Sequence, residues 1–270
     1  MRILFVADVI GSPGRKVAKG LLRLVREENS ADAVILNGEN AAGGFGITPD
    51  AVVEFRELGV DVITTGNHVW DKREILPLLD RDPRLLRPAN YPAGNAGKGV
   101  AVVEVGKVRL AVMNLQGRTF MPPIDDPFRA ADALLAELEG NADVVVVDFH
   151  AEATSEKQAM GRYLDGRVGA VVGTHTHVQT ADERILPGGT AFITDMGLTG
   201  SLGGIIGMKT EFSLHRQLQQ TKGERMQPAD NDLHLQGVVV DIDPLTGLAS
   251  SIGRVSVPYA RSLETAFGKL

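Results

Sequence analysis

Val168-Gly169-Ala170-Val171-Val172-Gly173-Thr174-His175-Thr176-His177-Val178 is an apolar, β-branched run of strand length that stops at a glycine and is followed at once by two histidines. Side chains alternate between the two faces of a strand, so His175 and His177, at i and i+2, are expected to point the same way. Two imidazoles that close on one face at the end of a buried strand can share a metal site. Four other apolar runs end alike: on Asp8, on Asn37-Gly38-Glu39-Asn40, on Gly66-Asn67-His68, and on Asp148-Phe149-His150. The chain is therefore read as five strand ends, each delivering oxygen or nitrogen donors, and the material that holds them in place.

That material alternates. Residues 2–7 read as a buried strand and Gly11-Ser12-Pro13-Gly14 as the turn beyond it; Val17, Leu21, Leu24 and Val25 give 15–28 a helical spacing. A strand over 31–36 leads to a flexible loop at Gly43-Gly44-Phe45-Gly46. Thr48-Pro49 then has the form of an N-cap followed by proline at the first helical position. A third strand spans 60–65, and Asp71-Lys72-Arg73-Glu74 has the form of a capping box opening a helix to about Leu79. Strand–helix alternation predicts a parallel-rich α/β sheet, because each parallel crossover needs a connection long enough to return the chain. Two runs over 99–105 and 108–114, separated by Gly106-Lys107, predict a hairpin. Asp126-Pro127 opens a helix, 143–148 is a strand, 155–164 a helix, and 168–172 and 190–194 are strands. Residues 197–207 hold five glycines and no charge, the composition of a mobile loop. The tail, 236–258, reads as two strands around Asp243-Pro244-Leu245-Thr246-Gly247. No repeat or linker divides the chain, so one domain over 1–270 is expected, with 209–233 as a candidate small helical insert.

Composition narrows the function. The 270 residues, 43% hydrophobic and 23% charged, are enough for a substantial core. A net charge of -6 argues against extended nucleic acid as the main ligand, since such binders are usually basic. It leaves a small nucleotide open, because bound divalent cations would reverse the local field. The absence of cysteine removes disulfides, thiolate metal sites and thiol nucleophiles. No secretory signal or membrane-length apolar run is present, so a cytoplasmic protein without a membrane partner is expected. Oligomeric state is left open, a homo-oligomer included.

In open α/β sheets, ligands bind beyond the carboxyl ends of the strands. That rule places Asp8, Glu39, Asn40, Asn67, His68, His150, His175 and His177 along one edge of the same sheet. Each alone has an ordinary structural explanation, such as a cap, a turn or a packed imidazole. Together they are harder to dismiss: of six histidines, four stand at predicted strand ends, which leaves His215 and His234 as surface or packing residues. Carboxylate, amide and imidazole donors suit Mn²⁺, Fe²⁺ or Zn²⁺. Two such ions about 3.5–4 Å apart clamp the attacking and leaving oxygens of a phosphoryl displacement. Glu39 can bridge both ions, a shared hydroxide is then the nucleophile, and a histidine that binds no metal is the natural proton donor to the leaving alkoxide.

Asp8, Gly38-Glu39-Asn40, Gly66-Asn67-His68, His150 and Gly173-Thr174-His175-Thr176-His177 resemble, in order and spacing, the motifs of calcineurin-like metallophosphoesterases. More narrowly, residues 37–48, 65–72 and 173–182 are similar to the bacterial YmdB-like subfamily. The resemblance implies an α/β fold of layered β-sheets flanked by helices, with a dinuclear site at the carboxyl ends of the strands. Two departures from the wider superfamily matter. Its first motif is Asp-x-His, and Ile10 stands at the third position here; its second ends in aspartate, and Glu39 stands there, followed by Asn40. Carried over residue by residue, the resemblance implies one metal on Asp8, Glu39, Asn40 and His177 and another on Glu39, Asn67, His150 and His175. Glu39 bridges, and His68 is the proton donor. The ions implied are two divalent or mixed-valence transition metals, iron or manganese first and zinc as a further candidate.

The subfamily resemblance further implies a phosphodiesterase that opens 2′,3′-cyclic nucleotides at the 2′-oxygen and leaves a 3′-monophosphate. The residues by themselves specify only a phosphoester hydrolase. The alternatives are a phosphomonoesterase or protein phosphatase with the same metal core, and a regulatory nucleotide- or RNA-binding protein with little turnover. Residues 43–47 and 197–207 are expected to shape the pocket. Phe45, Trp70 and Phe120 are candidates to stack on a base.

Overall fold

The structure, a computed structural model, describes residues 1–219, 223 and 225–262. Its layering begins within the first strand. In β1 (Arg2–Val6) Ile3 and Phe5 face one way, Leu4 and Val6 the other, and all four are fully buried. A strand apolar on both faces must be covered on both. After β2 (Asp8–Val9), α1 (Gly11–Glu28) carries the chain to β3 (Ala33–Asn37), and α2 (Pro49–Glu57) carries it to β4 (Val62–Thr64). β1, β3 and β4 are parallel. Beyond α3 (Leu76–Arg81), β5 (Val100–Val105) and β6 (Val108–Gln116) form the expected hairpin, with Val105 opposite Val108 and Gly106 at φ +63°. Then follow α4 (Pro127–Leu138), β7 (Val144–His150), α5 (Thr154–Tyr163), β8 (Ala170–Thr174), β9 (Arg184–Ile185), β10 (Ala191–Ile193) and β11 (Leu198–Ser201). The last elements are α6 (Thr210–Gln219), β12 (Leu233–Ile242) and β13 (Ala249–Pro258).

These strands make two sheets, a seven-stranded one ordered β2-β11-β12-β1-β3-β4 with β13 on β12, and a six-stranded one ordered β5-β6-β7-β8-β10-β9. Ile3, Phe5, Ile35 and Val62 of the first meet Val112, Val146, Val172 and Ile193 of the second in a shared core. Behind the first sheet, Leu4, Val6 and Leu36 pack on Leu21, Val25 and Phe55. Behind the second, Met113, Val147 and Val171 pack with Ala131 and Met160. The layered α/β fold expected from the motifs is the one found. A single sheet carrying all the strand ends is not: β7 and β8 lie in the second sheet. The antiparallel β12, returning from late in the chain, takes the flank of β1, so the middle of the chain, β5 to β10, builds a sheet of its own.

Three local expectations are corrected. Gly11-Ser12-Pro13-Gly14 is the first turn of α1 rather than a turn before it. Proline is tolerated there because the N–H it lacks has no intrahelical partner, and a side chain at Gly14 would strike the Thr199 carbonyl. Asp71-Lys72-Arg73-Glu74 makes no side-chain cap; a 3₁₀ turn over Arg73–Ile75 precedes α3, and Asp71 is engaged by His68 instead. Residues 197–207 are not simply a mobile loop, since β11 is buried and paired with both β2 and β12. The expected insert at 209–233 contains α6, and its residues 220–222 and 224 lie outside the described residues. No helix among the described residues is long and apolar enough to cross a membrane.

Thr48 caps α2 as its sequence suggests, its hydroxyl accepting from Ala51 N at 3.4 Å. Thr48→Ala should lower stability by about 1 kcal/mol, read as a shift of the urea midpoint without a change of slope.

Candidate metal centre

The two sheets bring their carboxyl ends to the same side. Asp8 begins β2, Glu39 and Asn40 follow β3, Asn67 and His68 follow β4, His150 ends β7, and His175 and His177 follow β8. Asp8, Glu39 and His150 are fully buried and Asn40 almost so. The alternation of a strand is not what aims the two C-terminal histidines, because β8 ends at Thr174. His175 and His177 both lie in left-handed backbone, at φ +99° and +63°, and each is turned inward individually.

Glu39 is where the two halves of the cluster meet. Its Oε2 lies 3.2 Å from His150 Nε2 and accepts from the His68 backbone N–H at 3.3 Å, and its Oε1 faces Asn40 Nδ2 at 2.9 Å. His150 Nε2 is in turn 3.0 Å from His175 Nδ1 and 3.1 Å from Asn67 Oδ1. On the other side, His177 Nε2 stands 3.1 Å from the Asn40 amide and 3.8 Å from Asp8 Oδ1. One ligand atom each from Glu39, His150 and His175 fall within 4.8 Å of one another, and so do those of Asp8, Glu39 and His177. A Cβ on Gly66 would run into both the His150 ring and the Glu39 carboxylate, so only glycine lets that loop cross the cluster.

Hydrogen bonds behind the cluster fix which ring nitrogen faces it. Thr174 Oγ1 donates to Asp148 Oδ1 at 2.7 Å, so its lone pair receives His150 Nδ1–H at 2.9 Å and Nε2 points into the cluster. Asp148 also accepts from Thr64 Oγ1 and, at 3.0 Å, from Asn37 Nδ2, whose amide oxygen accepts Glu39 N–H. His177 Nδ1–H donates to the Ile206 carbonyl at 3.0 Å, again freeing Nε2. His175 is reversed, with Nδ1 inward and Nε2 3.1 Å from Glu152. Thr174→Val would leave a buried Nδ1–H without an acceptor. Metal affinity should fall about 10–100-fold, the usual cost of losing such an outer partner, and competition with a chromophoric chelator measures it.

The buried groups of the cluster are displaced by burial and by one another. Burial raises the Asp8 carboxyl well above the ordinary range, against the pull of His150. Burial would raise Glu39 too, but His150, His68 and His175 overcome it and hold it down at about 2. Burial would lower His150, yet Glu39, Asp8 and Asp148 push it up to about 9. Burial, with His150 nearby, brings His175 down to about 3, and His177 is also lowered, chiefly by burial. Asp8 Oδ1 is buried with no hydrogen-bond partner. An orphan carboxylate oxygen, a second carboxylate and three inward imidazole nitrogens fit one or two divalent ions of the iron, manganese or zinc kind.

His68 stands at the edge of the cluster with its side chain 29% exposed. Its Nδ1 lies 3.0 Å from Asp71 Oδ2, and its ring meets Phe45 edge-on at 5.0 Å. Both belong to a cleft of about 340 Å³ over the cluster. Of the three aromatic candidates, Phe45 lines this cleft, Trp70 packs edge-on against Tyr91, and Phe120 is 89% exposed elsewhere. Both expected pocket segments contribute, through Gly44 and Phe45 and through Ile206.

Sequence reasoning missed the support beneath the two C-terminal histidines. Asp195 Oδ2 accepts from both the N–H and the hydroxyl of Thr176, between the histidines, at 3.0 and 2.7 Å, and from Lys157 Nζ at 2.7 Å. Asp195 and Lys157 are buried. The signal was available. Asp195 ends an apolar strand run just as the donors of the other five runs do, and Lys157 shares its helix face with Met160 and Gly161, both buried.

The chain matches the family model of YmdB-like proteins over residues 4–255. It is 50% identical over 257 residues to a Bacillus subtilis protein named 2′,3′-cyclic-nucleotide 2′-phosphodiesterase, covering 95% of this chain and 97% of that one. Among solved structures, a novel phosphatase from Mycoplasma pneumoniae superposes with a TM-score of 0.89 at 33% identity, over 97% of this chain and 96% of that one. The calcineurin-like phosphoesterase YfkN from Bacillus subtilis, at 11% identity, superposes with a TM-score of 0.58 over 99% and 95% of the two chains, a likeness of fold.

Proposed function

The chain belongs to the YmdB-like family, and on that premise we propose that it is a dinuclear metal-dependent phosphodiesterase that opens 2′,3′-cyclic nucleotides to 3′-nucleotides. The observation that carries the reading is the presence of Glu39 in both donor groups. One ion would be held by Asp8, Glu39, Asn40 and His177, and the other by Glu39, Asn67, His150 and His175. Asn40 stands beside His177 through Nδ2, so ligation requires its amide to turn over and present Oδ1. Bound there, the ions supply Lewis-acid stabilisation of the phosphoryl oxygens and a water of lowered proton affinity.

The chain's own residues supply the rest. The His68 imidazole, anchored through Nδ1 by Asp71, offers Nε2–H to the departing 2′-oxygen. Water adds through its oxygen to phosphorus and releases a proton to solvent, the bond from phosphorus to O2′ breaks with its electron pair on O2′, and O2′ takes the Nε2 proton of His68. The ring opens only at the oxygen that lies beside His68, which gives the 3′-phosphate. Donors drawn from both sheets support one catalytic unit over the whole chain, and the composition supports a cytoplasmic setting. The name and 50% identity of the Bacillus subtilis relative support the substrate class.

The test is turnover of 2′,3′-cyclic AMP by metal-stripped protein reloaded with Mn²⁺, with 2′- and 3′-AMP resolved. Metal-dependent release of 3′-AMP is expected. No turnover with the metals bound would point to another phosphoester first, p-nitrophenyl phosphate being the monoester to try, and to a binding protein second.

A further inference from the structure

Ile205 and Met208 exchange backbone hydrogen bonds, Ile205 N to Met208 O at 2.8 Å and Met208 N to Ile205 O at 3.0 Å. Between them lies a two-residue turn with positive φ at both positions, +47° at Ile206 and +86° at Gly207. Turns of this pattern favour Asn-Gly or Gly-Gly. Gly207 fits, since a side chain there would press on Ile10 at 3.2 Å. Ile206 does not fit. A β-branched residue at positive φ is an outlier that persists only where something compensates. The hydrophobic core does not compensate it, because Ile206 is 50% exposed. Asparagine would make the same turn with less strain and without an apolar side chain in water.

What the Ile206 side chain does have is the cleft. It lines the opening together with Phe45, Met208 and Met226, while Glu39, His68 and His177 line the same cleft. Met208 sits against Gly44, where a Cβ would come within 2.7 Å of its terminal methyl. The Ile206 carbonyl also receives the His177 Nδ1–H, so one residue joins the apolar wall to the polar floor. Arg216 and Glu152 line the same cleft. With ions held in the floor as proposed above, a ligand that matches it has an anionic end for the floor and a flat, weakly polar end for the apolar part of the wall, which is one ring, two thioethers and one branched chain. The volume, about 340 Å³, falls within the usual range for small-molecule sites, and methionine adapts readily to flat aromatic surfaces.

We propose that Ile206 is a specificity-determining residue which, with Phe45, Met208 and Met226, receives the nucleobase of the substrate; the inference rests on the cyclic-nucleotide reading above. The strained turn is retained because relaxing it would remove the surface on which the base lies.

The test uses full-length protein loaded with Mn²⁺ and two substrates that differ only in the base, 2′,3′-cyclic AMP and methyl β-ribofuranoside 2′,3′-cyclic phosphate. Wild type should prefer the nucleotide by about tenfold or more in kcat/KM, the scale set by burying one large apolar group. In Ile206→Asn and Ile206→Gly that preference should shrink about fivefold, mostly through KM for the nucleotide. Their Tm should be unchanged or higher, because both residues accept positive φ. A wild type without preference would overturn the subsite and leave the phosphodiesterase reading intact. Equal loss on both substrates, or a lower Tm in both variants, would make Ile206 a structural residue and also overturn it. Hydrolysis of neither substrate by metal-loaded wild type would overturn the cyclic-nucleotide reading itself, and the subsite with it.

Discussion

Glu39→Gln is expected to lower turnover of 2′,3′-cyclic AMP by at least about 10²-fold, the upper side of what loss of a mere outer partner costs, and to reduce bound metal from two ions to one or none. The physical reason is that Glu39 contributes to both donor groups, whereas Asp8, His150, His175 and His177 each contribute to one. Its carboxylate touches His150 through Oε2 and the Asn40 amide through Oε1. Glutamine keeps the volume and one oxygen, so the packing around a fully buried side chain is retained. The negative charge and one acceptor are removed. Asp8→Asn is the contrasting variant: Asp8 stands in one donor group, with Glu39 and His177, and one ion should remain. Elemental analysis of the purified proteins, beside their urea unfolding curves, separates metal loss from misfolding. Two ions still bound to Glu39→Gln would overturn the bridging assignment, whatever happened to the rate.

The donor cluster was legible because each member closes an apolar run, and a run of strand length that ends in a donor keeps that pattern in one dimension. Which sheet the run enters is not local information. His150 and His175 were expected beside Asp8 on one sheet and stand on another, because a strand near the end of the chain, β12, occupies the flank of β1. The inward aim of His175 and His177 does not come from the strand period that predicts it. Period-two alternation stops with the strand, and left-handed backbone at both residues does the aiming. That turn is held from beneath by the Asp195 carboxylate on Thr176 and by Lys157 on Asp195, contacts 19 and 38 residues apart in sequence that no short motif contains. Gly11-Ser12-Pro13-Gly14 misled for a related reason. Its composition is that of a turn, but the nearness of Thr199 to Gly14 reveals why a small residue opens a helix there.

His68→Ala should leave the metal content intact and reduce kcat on 2′,3′-cyclic AMP by about 10²–10⁴-fold, the range for loss of a positioned general acid. The metal count should hold because His68 contacts Glu39 through its backbone N–H, which the substitution keeps, and its ring belongs to neither donor group. The rate should fall because the leaving group is a ribose alkoxide, which departs poorly without a proton. The basicity of the leaving oxygen also fixes the control. A diester that releases p-nitrophenolate, a far weaker base, needs little help from an acid, so His68→Ala should cost it much less. Asp71→Asn, which keeps a hydrogen-bond partner for Nδ1 but removes the charge beside it, should fall between wild type and His68→Ala on the cyclic nucleotide. Similar losses on both esters would mean that the His68 ring shapes the site rather than donating the proton. A rise in KM with kcat preserved would assign it to substrate binding instead.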